Sequence, residues 1–211
     1  MSIKQGDSMS IKKLSNIFTA EELEVLSNGL DYSVIPLDDN NNYVNYKLDN
    51  EGRGIHDELG RIQFGALKDL PKNILDKVKS IAKDSSDEEL LMSHAMAVEY
   101  NSLYGNPNLP VHWDHDTNDL IINFQLKSNT RWDLGVALNV YELEDNSALV
   151  FNPNEHTHWR PHKTFKDGEY IKMIFFRFQK EDPSDYSHLD YNINDEIFKE
   201  IEEFRSSLGN N

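Results

Sequence analysis

Ala148-Leu-Val-Phe-Asn-Pro-Asn-Glu-His156-Thr-His158-Trp-Arg-Pro-His162 carries the decisive pattern of this chain. A short apolar run stops at an Asn-Pro-Asn turn and is followed at once by three closely spaced histidines. Such a run, bounded by turn residues, reads as a buried strand. Runs of the same kind lie on either side: Leu91 to Tyr100, Leu120 to Leu126, Val136 to Leu143 and Tyr170 to Phe178. Gly105-Asn-Pro-Asn, Lys127-Ser-Asn-Thr, Asp145-Asn-Ser and Lys166-Asp-Gly punctuate them. Several short strands with this punctuation predict a sandwich or barrel.

Helical patterns flank the strands. Thr19-Ala-Glu-Glu22 is a capping box that starts a helix near Ala20, running to about Ser27 and ended by Asn28-Gly29. Pro71 opens a second helix with Ile74, Leu75, Val78, Ile81 and Ala82 on one face, broken after Lys83. A third is capped by Asn194, carries Ile197, Ile201, Phe204 and Leu208 as its stripe, and ends at Gly209. The expected fold class is mainly β with flanking α-helices in a single domain, 1–211. Within it, 1–12 is a loose tail and 13–89 a helical and loop support. Residues 90–180 form the β core, and 181–211 a closing loop and helix. The Asn- and Asp-rich stretch 38–54 reads as loop or hairpin tips. The echo of Met1-Ser-Ile-Lys4 in Met9-Ser-Ile-Lys12 is too short to be a structural repeat.

Composition narrows the function. The formal charge is −16, from 21 basic and 37 acidic residues. Such a field repels phosphate backbones, so no nucleic-acid partner is expected, and it favours a neutral or cationic substrate. There is no Cys, which excludes disulfides, thiolate nucleophiles and Fe–S clusters. No apolar run reaches membrane-spanning length and no signal-peptide pattern opens the chain, so a cytoplasmic location without membrane attachment is expected.

His112-Trp113-Asp114 gives the histidine cluster its meaning. In extended backbone, residues i and i+2 share a face, so His112 and Asp114 can reach one ion while Trp113 points away. Two histidines and one carboxylate form the ligand set of non-haem Fe(II), with coordination positions left open. A third ligand must come from another strand. His158 is favoured by its place in the turn, with His156 and His162 as competitors. His94 and His115 read as surface or core histidines.

These parts, in this order, resemble the Fe(II)- and 2-oxoglutarate-dependent dioxygenases, particularly the prolyl-hydroxylase-like branch. The similar segments are Ile17-Phe-Thr-Ala-Glu-Glu, Leu70-Pro-Lys-Asn-Ile-Leu, Val98-Glu-Tyr100-Asn with Gly105 and His112-Trp-Asp114. Further along come Asn146-Ser-Ala-Leu-Val-Phe151, His158-Trp-Arg-Pro and Gly168-Glu-Tyr-Ile-Lys172. The resemblance implies a double-stranded β-helix, or jelly roll, with Fe(II) on His112, Asp114 and His158. It also implies 2-oxoglutarate and O2 as co-substrates. Oxidative decarboxylation to succinate would be coupled to hydroxylation of a C–H bond in a peptidyl residue or small molecule. The presence of Asp114 argues against the halogenase variant.

The same resemblance calls for a basic clamp on the far carboxylate of the keto acid. Lys172 is the first choice, as the residue nearer the strand start, where the mouth of the barrel is expected. Arg177 is the rival: five positions on, it faces the opposite side of a regular strand. Arg160 is a third option, but it follows His158 so closely that it is expected at the rim. The Tyr100 hydroxyl is a candidate donor to the co-substrate. Trp113, Trp132 and Trp159 either shape the pocket or pack between strands. Two other classes remain in view: a Zn(II) hydrolase, with Glu155 as the candidate base, and a jelly roll that binds a ligand without catalysis.

Overall fold

The computed structural model describes residues 10–28, 47–48, 54–56, 59–66, 70–114, 118–181 and 195–208. The elements in chain order are β1 (Lys12–Ser15), α1 (Ala20–Asn28), β2 (Lys47–Leu48), β3 (Gly54–His56), β4 (Arg61–Ala66) and α2 (Lys72–Lys83). They continue with β5 (Leu90–Asn101), β6 (Leu120–Ser128), β7 (Leu134–Val136), β8 (Asn139–Tyr141) and β9 (Ser147–Phe151). β10 (His158–Trp159), β11 (Tyr170–Lys180) and α3 (Asp195–Ser207) complete the set. An eight-stranded sheet has the order β1-β9-β6-β11-β5-β4-β3-β2, and a three-stranded sheet the order β10-β7-β8. All pairings are antiparallel. The molecule is mainly β with three helices, arranged as a jelly roll.

The central strands of the large sheet, β5, β6, β9 and β11, are buried on both faces over most of their length, and side-chain alternation explains how. From β11, Ile174, Phe176 and Phe178 pack with Ile74, Val78 and Ala82 of α2 and Leu26 of α1. The alternate residues Ile171, Met173 and Phe175 face the small sheet, against Leu134, Val136 and Trp132. One strand thus feeds two cores. α3 makes a third, smaller core, in which Ile201 meets Val111 and Trp159.

α1 begins as its sequence predicts. The Thr19 hydroxyl accepts from the Glu22 N–H at 3.3 Å, and the Glu22 carboxylate accepts from the Thr19 N–H at 2.9 Å. The same carboxylate accepts from Asn73 Nδ2 at 3.0 Å and from Lys77 Nζ, so it also ties α1 to α2. The Lys77 ammonium and the Thr19 N–H hold the Glu22 carboxyl below its usual pKa. That contribution is present above the ordinary carboxyl range and is lost as pH falls through the lowered value. Glu22→Ala is expected to cost about 1–3 kcal/mol in urea unfolding at neutral pH, with the difference from wild type shrinking in acid.

Three expectations are corrected here. The tail expected over 1–12 gives way by Lys12, which is paired in register with Val150. The support segment 13–89 also contains β1 to β4, so it is not only helix and loop. Val136 to Leu143 is not one strand: Val136 pairs with Asn139 across a two-residue turn, with Ala137 at φ 50. Glycine normally takes that conformation. Here Thr157 O accepts from the Ala137 N–H at 2.8 Å, and Trp159 Nε1 donates to Ala137 O at 3.0 Å, fixing the alanine in place. Gly29, His115, Asn194 and Gly209 lie outside the described residues, as does most of 38–54. No helix among the described residues is long and apolar enough to cross a membrane.

Candidate metal centre

His112 and His158 are joined as an antiparallel bridge: each N–H donates to the other's carbonyl, at 3.2 and 2.9 Å. Segments distant in sequence thereby place two imidazoles side by side, with ring centroids 4.0 Å apart. The Asp114 N–H donates to Pro153 O at 3.2 Å, tying the carboxylate's backbone to the turn that precedes His158. Asp114 Oδ1 then lies 3.8 Å from His112 Nε2 and 3.6 Å from His158 Nε2. One donor atom from each of the three residues falls within 4.8 Å of the others.

The donor set fits a transition metal. Neighbouring donors on an ion at about 2.1 Å stand about 3 Å apart, so the 3.8 and 3.6 Å spacings from Asp114 would have to close by less than about 1 Å on binding. The His112 Nδ1–H donates to Pro110 O at 2.8 Å, which leaves the Nε2 lone pair free for an ion. Burial pushes the pKa of both imidazoles below the usual value, and that of His158 well below, so both are held in the neutral form that ligates. Asp114 Oδ2 is buried without a hydrogen bond, and the Arg177 guanidinium stands 3.3 Å from it.

The competing histidines stay outside this cluster. His162 is exposed, and His156 is half-buried in the turn. His94 sits opposite Arg177 in the β5–β11 register. Glu155 is exposed. Trp132 and Trp159 are buried and donate to Pro161 O and Ala137 O, while Trp113 packs edge-on to Phe198 of α3 at 4.8 Å.

The basic residues are distributed differently from expectation. Lys172 lies on the helix-facing side of β11, with Ile174 and Phe176, and its ammonium pairs with Glu99 at 3.3 Å. It does not reach the barrel interior. Arg177 has the alternation of Ile171, Met173 and Phe175 and meets Asp114, so the metal end is the end of β11 and not its start. Arg160 is not at the rim. It is 1% exposed, two residues beyond His158, with its guanidinium 4.8 Å from the Trp132 ring centroid and 5.9 Å from that of Tyr100. It donates to Trp132 O and lies 3.6 Å from Met173 Sδ. Burial pushes its pKa down to about 10. Tyr100 is buried in the same core, and its hydroxyl accepts from Arg61 Nη1 at 3.1 Å. Arg61 is a residue that sequence reasoning missed, because β4 itself was unseen. The positive-φ Gly60 before it (φ 56) was the available signal.

A second missed residue is Arg205 of α3. Its Nε donates to Arg160 O at 2.8 Å, its Nη2 donates to Asn108 Oδ1 at 2.6 Å, and its Nη1 meets Glu202 at 3.2 Å. Glu202 in turn accepts from the Val111 N–H at 3.4 Å. One buried guanidinium therefore ties the segment that carries His112 to the segment that carries His158.

No protein-family model matches the sequence, and no curated protein matches it either. Solved structures do match by shape. The viral collagen prolyl hydroxylase of Paramecium bursaria Chlorella virus-1, in complex with 2-oxoglutarate, superposes with a TM-score of 0.53 at 10% identity, over 82% of this chain and 96% of that one. The fold is that of the 2-oxoglutarate- and Fe(II)-dependent oxygenases. A Trichoplax adhaerens prolyl hydroxylase, bound to a hypoxia-inducible-factor peptide, gives 0.54 at 11% identity over 85% and 87%. HygX of Streptomyces hygroscopicus, with nickel, 2-oxoglutarate and hygromycin B, gives 0.56 at 9% identity over 83% and 84%. The jelly roll expected from the sequence is thus the fold this chain shares with them.

Proposed function

We propose that this protein is a non-haem Fe(II) oxygenase that couples oxidative decarboxylation of 2-oxoglutarate to hydroxylation of a C–H bond in a peptidyl residue or small molecule. The observation that carries the reading is the convergence of His112, Asp114 and His158, on a fold shared with such enzymes. These three would hold the iron and leave its other positions to co-substrate and oxygen. Bound there, iron and 2-oxoglutarate supply the oxidising power.

The protein's own groups do the rest. Arg160 is the clamp for the far carboxylate of the keto acid. Support comes from its burial: among the described residues the guanidinium meets a carbonyl, a sulfur and two rings, with Asp133 acting on it only at a distance, so it is a desolvated cation with no contacting counter-ion. A carboxylate arriving between Tyr100, Trp132 and Met173 would supply one. Arg177 steadies Asp114, and Tyr100 walls the same space. A Zn(II) hydrolase would need a positioned base, and Glu155 is exposed on its turn.

The test is spectroscopic. Anaerobic protein loaded with Fe(II) and 2-oxoglutarate is expected to show a metal-to-ligand charge-transfer band that bleaches when air is admitted, with succinate formed. A zinc hydrolase or a non-catalytic binding protein gives no such band.

A further inference from the structure

Arg61 has no part in the arrangement above. It enters from β4, directly across from Tyr100 in the strand register. The Tyr100 hydroxyl is its one hydrogen-bond partner among the described residues, and its Nε is buried without an acceptor. Among the described residues a neutral phenol, and no carboxylate, therefore faces this cation. The guanidinium stands 5.8 Å from the Tyr100 ring centroid, and that of Arg160 stands 5.9 Å from the same ring. Asp114 is already matched by Arg177. A bound dicarboxylate would match Arg160 and the ion. Among the described residues Arg61 would still lack an anion, beside the Tyr100 ring that borders the co-substrate's place.

We propose that Arg61 and the Tyr100 hydroxyl form a subsite for an oxyanion of the molecule to be oxidised, so that the substrate bears a carboxylate or phosphate group. The inference rests on the oxygenase reading and names its substrate class. A guanidinium fork suits such a group, because two parallel N–H donors meet two oxygens. Tyr100 is held for the task by Trp132, packed edge-on at 5.1 Å. The acidic average of the chain, which by itself favours a neutral or cationic substrate, is overridden at contact range. Charges further away than about 8 Å are largely screened at physiological salt.

The test uses the full chain loaded with Ni(II), which does not turn over, and saturated with 2-oxoglutarate. Acetate, methylphosphonate and neutral acetamide are titrated by calorimetry. One or both anions are expected to bind saturably and acetamide not at all. Arg61→Gln is expected to weaken anion binding about tenfold, with Arg61→Lys intermediate, while affinity for 2-oxoglutarate changes by less than about twofold. Failure of both anions to bind, or anion binding indifferent to Arg61→Gln, would overturn the proposal. So would a loss of 2-oxoglutarate affinity in Arg61→Gln, which would assign the guanidinium to the co-substrate. Failure of 2-oxoglutarate to bind the wild-type Ni(II) protein is a separate result: it removes the oxygenase reading itself.

Discussion

Alanine at His112, Asp114 or His158 is expected to abolish iron-dependent succinate release and to weaken divalent-metal binding by at least about a hundredfold. The three changes differ in their side effects. His112 is partly exposed, so His112→Ala removes a donor and little packing. His158 is 5% exposed and packs on Phe151 with ring centroids 5.4 Å apart, so its alanine variant also leaves a hole and lowers stability. Asp114→Ala strips Arg177 of a nearby carboxylate, and Asp114→Asn is the cleaner substitution. Metal titration on folded protein, judged by circular dichroism, separates these effects. Wild-type metal affinity in His112→Ala would refute the assignment.

The second large effect is expected at Arg160. Arg160→Met should weaken 2-oxoglutarate binding by about ten- to a hundredfold, the range for losing a charge-assisted pair. The same variant should unfold at equal or higher urea concentration without ligand, because a buried cation with no ion-pair partner among the described residues gives way to an apolar chain of similar length. A residue that only braced the fold would show the opposite: lower stability and unchanged ligand affinity. Lys172→Ala is the control. Its ammonium pairs with Glu99 on the helix-facing side of β11, so 2-oxoglutarate affinity should stay within about twofold. A larger loss at Lys172 than at Arg160 would reverse the roles given to them.

Much of the architecture was written in local patterns. The strands at Leu91, Leu120, Ala148 and Tyr170 are apolar runs between strong turn signals, and each is present with its ends moved by a few residues at most. The capping box at Thr19 is a four-residue device and needs no tertiary help. β1 to β4 were not legible, because Lys12-Lys-Leu-Ser and Lys47-Leu48 have no periodicity of their own and exist by pairing with a sheet already formed. The Ala137 turn was hidden for the same reason: its backbone is held by Trp159 and Thr157, far along the chain. In the candidate site, the alternation rule separated Lys172 from Arg177 correctly. What it could not supply was the direction of β11 relative to the mouth, which depends on how the two sheets stack. Arg160 looked like a rim residue because it follows a turn closely. Its burial depends on Trp132 and Met173, which only the closed barrel brings to it.

The bond from Arg205 to Arg160 O spans 45 residues, and the bond to Asn108 spans 97. The side chain that fastens the two ligand-bearing segments together is therefore made long after both of them. A nascent chain can close its sheets, yet it lacks this fastening until α3 has left the ribosome and docked. A polypeptide interrupted before residue 205 would carry all three proposed ligands and lack this fastening, and it is expected to bind divalent metal more weakly than the full chain.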